Sequence, residues 1–453
     1  MCLAACLVSV LLAGQGQSAS PSSPAGVFSS VEPVDLTLSA PLGQLFTNGT
    51  DNEDYSVMGT LSYGGTSIPD VEISVRGNTS RRETECTFPK LKLKFHNRDA
   101  RDGTIFAGLD GVRIGTHCGE SPGEALGGRY GRLSNEKSPR REAFVYRLLG
   151  VVGVPTLRAR PARITYIDRT SGAGAANAPL TRNAVLIEDD EDAKKRLGGI
   201  REIDMEEFRS ARDQFAPADA VRIAFGEALI GNFDWCLKFT PDDTYRCDER
   251  KPLWNVLAFE RHDGPAVALI KDFDLAGPVT GRHIWFNNVF NPAFVASHSP
   301  VQIEVLSQVQ RTRSLFSRAQ LDLARRAFLE RRDAAYEALE RADLDQHGRD
   351  LARAYMDAFF NAIDRDDAFY IPVVAADGVR LYVDAERSGE ACSPGDTVPV
   401  GTPVSEVGRT GTMAQVVLLD YTWHWSPPHR CQAAQTRAVW IAADSISTSY
   451  PAK

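Results

Sequence analysis

Three of the seven aspartates and both asparagines between Phe225 and Gly281 have the types and the order that phosphoryl transfer requires. Such a site needs one carboxylate to orient an attacking hydroxyl, and an Asn and an Asp to hold Mg²⁺ against the phosphates. Asp234, Asn255 and Asp272 supply that set in the order kinases use, with Asn232 and Asp274 close by. Turn chemistry also places Asn, Asp and Gly in loops through local hydrogen bonds. A lone Asp272-Phe273-Asp274 would therefore say little, and the ordered set says more.

These groups need elements to hold them. The run from Phe225 to Gly231 reads as a helix end that delivers Asn232 and Asp234, and the apolar strand Ala266 to Ile270 presents Asp272 and Asp274 just past its end. Binding groups commonly sit on loops carried by a rigid scaffold. Upstream, Val34 to Leu38 and Tyr55 to Ser62 alternate apolar and polar residues, and Gly64-Gly65 marks a turn. Val71 to Val75 runs into Arg76-Gly-Asn-Thr-Ser-Arg-Arg82, a turn among arginines able to cradle an anion. Alternation then sets Leu91, Leu93 and Phe95 on one strand face and Lys90, Lys92 and Lys94 on the other, by default a solvated face.

After a further strand, Val112 to Cys118, and a polar loop, a helix opens with Ser138 as N-cap and Pro139 at its first position. Its apolar stripe runs through Phe144, Val145, Leu148 and Leu149. Glu142 falls in the first turn, suited to the helix dipole or to pairing with a strand lysine. Strands Ala162 to Tyr166 and Ala184 to Ile187 lead into the acidic run Glu188 to Asp192, a solvated loop that would mark the hinge of a two-lobed protein. Helices follow over 204–214, 217–230 and several segments of 301–364, one opened by a capping box of Ser317 and Gln320. From Phe369 the texture returns to short strands (Phe369 to Val374, Val379 to Val383, Ala414 to Leu419, Ala438 to Ala442), which suits a small barrel with Trp423, Trp425 and Trp440 in its packing.

The 453 residues, with 43% hydrophobic and 24% charged, are ordinary globular material for two or three domains. A net charge of −8 and the absence of Lys/Arg runs exclude a nucleic-acid partner as the natural reading. Residues 1–19 read as a secretory signal, too short to span a bilayer, and Leu3-Ala-Ala-Cys6 resembles a lipoprotein box. The mature chain is thus expected to be exported, periplasmic or extracellular, with lipid anchoring as an alternative and no transmembrane span. Residues 20–33 read as a flexible lead-in. Beyond Cys2 and Cys6, six cysteines with no Cys-x-x-Cys pair favour disulfides over zinc, and neighbour pairing (86–118, 236–247, 392–431) is one of fifteen connectivities.

The marks Arg76-Gly-Asn-x-x-Arg-Arg, Cys86-x-Phe-Pro, Leu91-x-Leu, Thr116-x-Cys118, Arg141-Glu142, Ile187-Glu188-Asp189, Ile230-Gly-Asn-x-Asp-Trp235 and Asp272-Phe-Asp274 occur in order over about Val34 to Phe290. Together they resemble the CotH (spore coat protein H) kinase-like superfamily, in its branch of exported bacterial proteins. The resemblance implies an α+β fold, with a two-lobed atypical protein-kinase core over residues 34–364 (lobes of about 34–190 and 191–364). The region 368–453 resembles a bacterial SH3-like barrel. ATP and Mg²⁺ or Mn²⁺ are the implied cofactors. Asp234 would be the catalytic carboxylate, Asp272, Asp274 and Asn255 the metal-side residues, and Glu142 the helix glutamate. Lys92 or Lys94 would be the phosphate lysine, with Arg76 and Glu188 also on the nucleotide side. The acceptor would be a protein or a small hydroxyl compound. The sequence departs from typical kinases in lacking a G-x-G-x-x-G loop and in the insertion between Cys236 and Cys247. The competing expectation is a catalytically inactive pseudokinase that binds a cell-wall component through its C-terminal region.

Overall fold

The computed structural model describes residues 26–77, 79–81, 86, 88–116, 136–170, 178–239, 251–281, 298–376, 378–392, 398, 400–419 and 437–449. The fold is mixed α/β. Its first half is a closed seven-stranded barrel of β1 (Val34–Ala40), β2 (Ser56–Tyr63), β3 (Thr66–Val75), β4 (Leu91–Phe95), β5 (Gly111–Gly115), β6 (Ala159–Asp168) and β7 (Leu180–Glu188). Neighbours are antiparallel except where β1 meets β6 in parallel, from Val34 opposite Ala162 to Ala40 opposite Asp168, and that pairing closes the barrel. The expected alternation is met in β4, where Leu91, Leu93 and Phe95 are buried. The β2–β3 hairpin turns on Gly64 and Gly65, both with positive φ (56° and 83°), as a two-residue turn of this hand requires.

Closure of the barrel was not legible beforehand, because a parallel pairing between the first and sixth strands leaves no local signature. The lead-in, expected to be flexible, is anchored over its described part. Val27 is 1% exposed, and the Arg160 guanidinium donates to the carbonyls of Val27 and Glu32.

A second apolar cluster lies beside the barrel and does not divide at residue 190. It takes in the Ser138–Val151 helix and Val185 and Ile187 of β7, together with the helices that follow. Phe225 sits at its centre, edge-on to Phe328, Phe359 and Phe369 at centroid distances of 5.9, 6.0 and 5.9 Å, a favoured aromatic arrangement. A three-stranded sheet, Val267–Ile270, Val256–Arg261 and Gly199–Glu202, borders this cluster. The capping box at Ser317 and Gln320 is present.

Several local expectations need correction. The helix starts at Ser138 with Lys137 at the N-cap, so Glu142 lies past the first turn and is no dipole residue. Glu188, Asp189 and Asp192 are buried instead of forming a solvated loop, because cations meet them: Arg196 on Glu188, Lys92 and Arg113 on Asp189, Lys195 on Asp192. Phe369 ends a short helix, Asp366–Phe369, and Val379 to Val383 contributes only isolated bridges at Tyr382, to Glu390 and Trp440.

Beyond it, strands Val404–Thr410, Met413–Leu418 and Val439–Ala442 form one sheet, and Val373–Val374 pairs with Ile446–Ser447. Their apolar residues make a separate cluster, while Val417 and Leu419 pack on Ile303 of the Pro300–Leu315 helix. Cys86, Cys236 and Cys392 are each disulfide-bonded. Residues 118, 247 and 431, and with them the pairing scheme, lie outside the described residues, as do the signal segment and Trp423 and Trp425. Among the described residues no helix is long and apolar enough to cross a membrane.

Candidate functional site

A cleft of about 670 Å³ opens between the barrel and the helical half. Its helical wall carries Asp234, Asp272 and Asp274, and its barrel wall carries Arg76, Lys90 and Arg113.

The Asp234 loop is set by the end of the Pro217–Leu229 helix. Gly231 follows with φ 55°, and any Cβ there would lie 2.2 Å from the Tyr355 ring, so only glycine fits. Asn232, fully buried, donates to Glu227 and accepts the Asp234 backbone N–H, which fixes where the Asp234 side chain emerges. The Asp234 carboxylate accepts hydrogen bonds from Trp254 Nε1 at 2.9 Å and Asn255 Nδ2 at 3.0 Å. Burial pushes its pKa up to about 6, with the Trp254 hydrogen bond pulling the other way and the charges of Asp272 and Asp274 adding to the rise.

Asp272 and Asp274 follow the Val267–Ile270 strand, separated by Phe273, whose fully buried ring lies 4.6 Å from that of Tyr146. The Asp272 backbone N–H donates to the Tyr146 hydroxyl at 3.0 Å. Both Asp272 and Asn255 hold left-handed backbone (φ 65° and 53°), a conformation of modest cost that clusters at functional sites when the surroundings impose it.

The lysine that reaches these carboxylates is Lys90, with Nζ 2.9 Å from Asp272 Oδ1 and 2.8 Å from Asp274 Oδ2. Burial disfavours its charge, but the two carboxylates outweigh burial and hold its pKa above the ordinary value. At Asp272 burial pushes the carboxyl up, yet Lys90 and Arg76 pull harder and hold it down at about 2. At Asp274 burial prevails and the pKa is raised. Glu142, buried on its helix, is pushed up to about 7 by desolvation against the pull of Lys90.

The other residues singled out in the sequence divide. Arg76 lines the cleft, acts on Asp272 and has a buried Nε with no hydrogen-bond partner among the described residues. Arg81, also on the cleft wall, has the same orphaned Nε. Lys92 borders the cleft but pairs with Asp189 at 3.0 Å. Lys94 is exposed on the barrel, opposite Glu72 and Gly111 in the strand register, and does not line the cleft. Glu188 is taken by Arg196 and the Arg158 backbone N–H and does not line the cleft either. Asn255 turns its amide nitrogen to Asp234. The residue that sequence reading passed over is Lys90. Alternation sets it on the same strand face as Lys92, and both line the cleft, but Lys90 is buried there and not solvated.

Two carboxylates converging on one cation 2.8–2.9 Å away form an oxygen site of the kind a hard divalent ion takes. Among the described residues no group of three or more His, Cys, Asp or Glu could hold a metal unaided. Mg²⁺ is commonly held by one or two protein carboxylates, waters and substrate phosphates.

No protein-family model and no curated protein matches the sequence. Among solved structures, the Helicobacter pylori proinflammatory kinase CtkA aligns with 61% of this chain and 91% of its own, at 8% identity and a TM-score of 0.33. A likeness of that size carries no inference about fold or function.

Proposed function

We propose that the chain is a phosphotransferase that uses ATP with Mg²⁺ or Mn²⁺, acting on a protein or a small hydroxyl acceptor. The observation that carries this reading is the polarity of the cleft. Carboxylates Asp234, Asp272 and Asp274 stand on one wall, and Arg76, Arg81 and Lys90 on the other. A metal-bound polyphosphate has the complementary pattern, anionic towards the barrel and cationic towards the aspartates. The orphaned Arg76 and Arg81 Nε atoms are donors of the kind a phosphate satisfies.

In this reading Asp272 and Asp274 hold the metal, which supplies charge neutralisation at the phosphates. Lys90, which meets both carboxylates in this structure, would then have the charge of Glu142 as an alternative partner. Asp234 is placed to accept a hydrogen bond from the acceptor hydroxyl. Its raised pKa makes it a better proton acceptor than an exposed aspartate while leaving it ionised at neutral pH. Trp254 Nε1 and Asn255 Nδ2 orient the carboxylate.

The second reading, a nucleotide-binding protein without transfer activity, is favoured by one feature: both carboxylate oxygens of Asp234 already accept protein hydrogen bonds. Export, the SH3-like assignment of residues 368–453 and a cell-wall partner for that region belong to the same proposal. Incubation of the protein with γ-labelled ATP and Mg²⁺ or Mn²⁺, alone and with candidate acceptors, tests it. Labelling that disappears in Asp234→Ala supports transfer. ATP-dependent stabilisation without labelling leaves the binding reading, and neither effect rejects both.

A further inference from the structure

A second cavity, of about 400 Å³, is lined by the Ser138–Val151 helix, the lead-in and the segment after the helix. Its apolar surface comes from Phe28, Val31 and Phe144, and its polar surface is dominated by arginines. Two of these are compensated within the protein, Arg140 by Asp343 and Arg196 by Glu188. Arg147 and Arg158 are not: neither guanidinium has an ion pair or hydrogen bond among the described residues. Arg147 is half-buried on the cavity wall. Burial lowers its pKa and Arg341 adds like-charge repulsion, with only Glu32 and Glu337 pulling the other way. A guanidinium on a cavity wall beside aromatic surface, with no ion pair or hydrogen bond of its own, is a ready partner for an anion.

We propose that this cavity is a binding site for a small amphipathic anion, its acidic head on Arg147 and Arg158 and its apolar body on Phe28, Val31 and Phe144. The volume lies in the range of small-molecule sites. A guanidinium is the side chain best matched to a carboxylate, sulfonate or phosphate head. The site does not depend on the phosphotransferase reading, since it would stand in a protein that transfers nothing. Its position next to the cleft is nonetheless specific, because Tyr146 borders both cavities.

Two probes with the same ring body separate the head from the tail: anilinonaphthalene sulfonate and the uncharged phenylnaphthylamine, titrated into the full chain. The expected result is saturable one-to-one binding of the sulfonate, at least about tenfold tighter than the uncharged probe, as a charge-assisted contact gives. Arg147→Gln should erase that preference. Gly150→Phe should block both probes, because Gly150 borders the cavity and a Cβ there meets nothing within 4 Å, so a ring can enter without disturbing the helix. Circular dichroism and thermal melting establish that each variant folds. The proposal is overturned by non-saturable binding, by a preference unchanged in Arg147→Gln, or by wild-type affinity in Gly150→Phe.

Discussion

Lys90 and Asp272, 182 residues apart in the chain, meet at 2.9 Å across the cleft. The contact joins the barrel to the helical half at the point where the proposed metal enters. It follows that Lys90 should be the lysine on which nucleotide binding depends. Lys90→Ala is expected to abolish the rise in melting temperature that ATP with Mg²⁺ gives the wild type, since a ligand stabilises only the state it binds. Lys94→Ala should leave that rise intact, and Lys92→Ala should reduce it modestly by removing one of the two cations on Asp189. Thermal melting of the three variants, with and without nucleotide, decides the matter.

The two loop aspartates should separate in kinetics. Asp272→Ala removes a carboxylate proposed to hold the metal, so metal-dependent nucleotide affinity should fall by about tenfold or more. Asp234→Ala should abolish transfer and leave nucleotide affinity within a few-fold, because its partners are Trp254 and Asn255 and not the Lys90 cluster. Equal loss of affinity in both variants, measured by titration calorimetry, would count against the division of roles.

Much of this site was legible in sequence, and the reasons differ by residue. Asp234, Asp272 and Asp274 could be found because each follows an apolar element, Asp234 behind Gly231 and Asn232 and the other two as the pair Asp272-Phe273-Asp274. Alternation gave Lys90 its strand face but not its role, because the carboxylates that meet it there come from 182 and 184 residues further along the chain. Glu188 looked like a site residue, but what decides its role is Arg196, a tertiary partner on the following helix, Asp190–Arg196. The buried state of the acidic run was hidden for the same reason, as its compensating cations come from β4, β5 and that helix. Barrel closure depends on a contact between strands more than a hundred residues apart, which periodicity does not encode.

The raised pKa of Asp234 gives two pH effects of known sign. Transfer should increase as pH rises through about 6, where Asp234 ionises in the folded protein, and reach a plateau above. Stability responds in the opposite direction. The unfolded chain releases this proton near pH 4 and the folded chain near 6, so between them the folded state binds more protons and loses stability as pH rises. Glu142, at about 7, extends the same slope upward. Denaturant midpoints of Asp234→Asn between pH 4.5 and 7 should show a shallower decline than the wild type. An equal slope would mean that Asp234 titrates normally.

Gly231 offers a test of how rigidly the Asp234 loop is set. Alanine there must adopt φ 55° and bring its Cβ to 2.2 Å from the Tyr355 ring, so it cannot be accommodated without displacing a fully buried side chain. Gly231→Ala should cost on the order of 2–4 kcal/mol in unfolding free energy and also lower transfer, because Asn232 and Asp234 move with the turn. Stability unchanged within error would show that the Tyr355 packing is not what holds the loop.

Arg313 joins the C-terminal strands to the helices. It is fully buried on the Pro300–Leu315 helix and donates to the carbonyls of Ile371 and Thr448, which flank the C-terminal strands. Burial lowers its pKa to about 10, with Tyr370 partly restoring it, and the guanidinium lies 5.5 Å from the centre of that ring. Replacing it with leucine fills part of the volume but leaves both carbonyls without their donor, a loss of about 1–3 kcal/mol for each group so stranded. If residues 368–453 fold as a separate domain, this loss falls on the junction and not on either core. Arg313→Leu should then split thermal unfolding into two transitions, the earlier one belonging to the C-terminal strands. Limited proteolysis should cut the variant near residues 364–372 while leaving the cleft able to bind nucleotide. A single lowered transition, with nucleotide binding lost in parallel, would instead make the C-terminal strands part of one cooperative unit with the site.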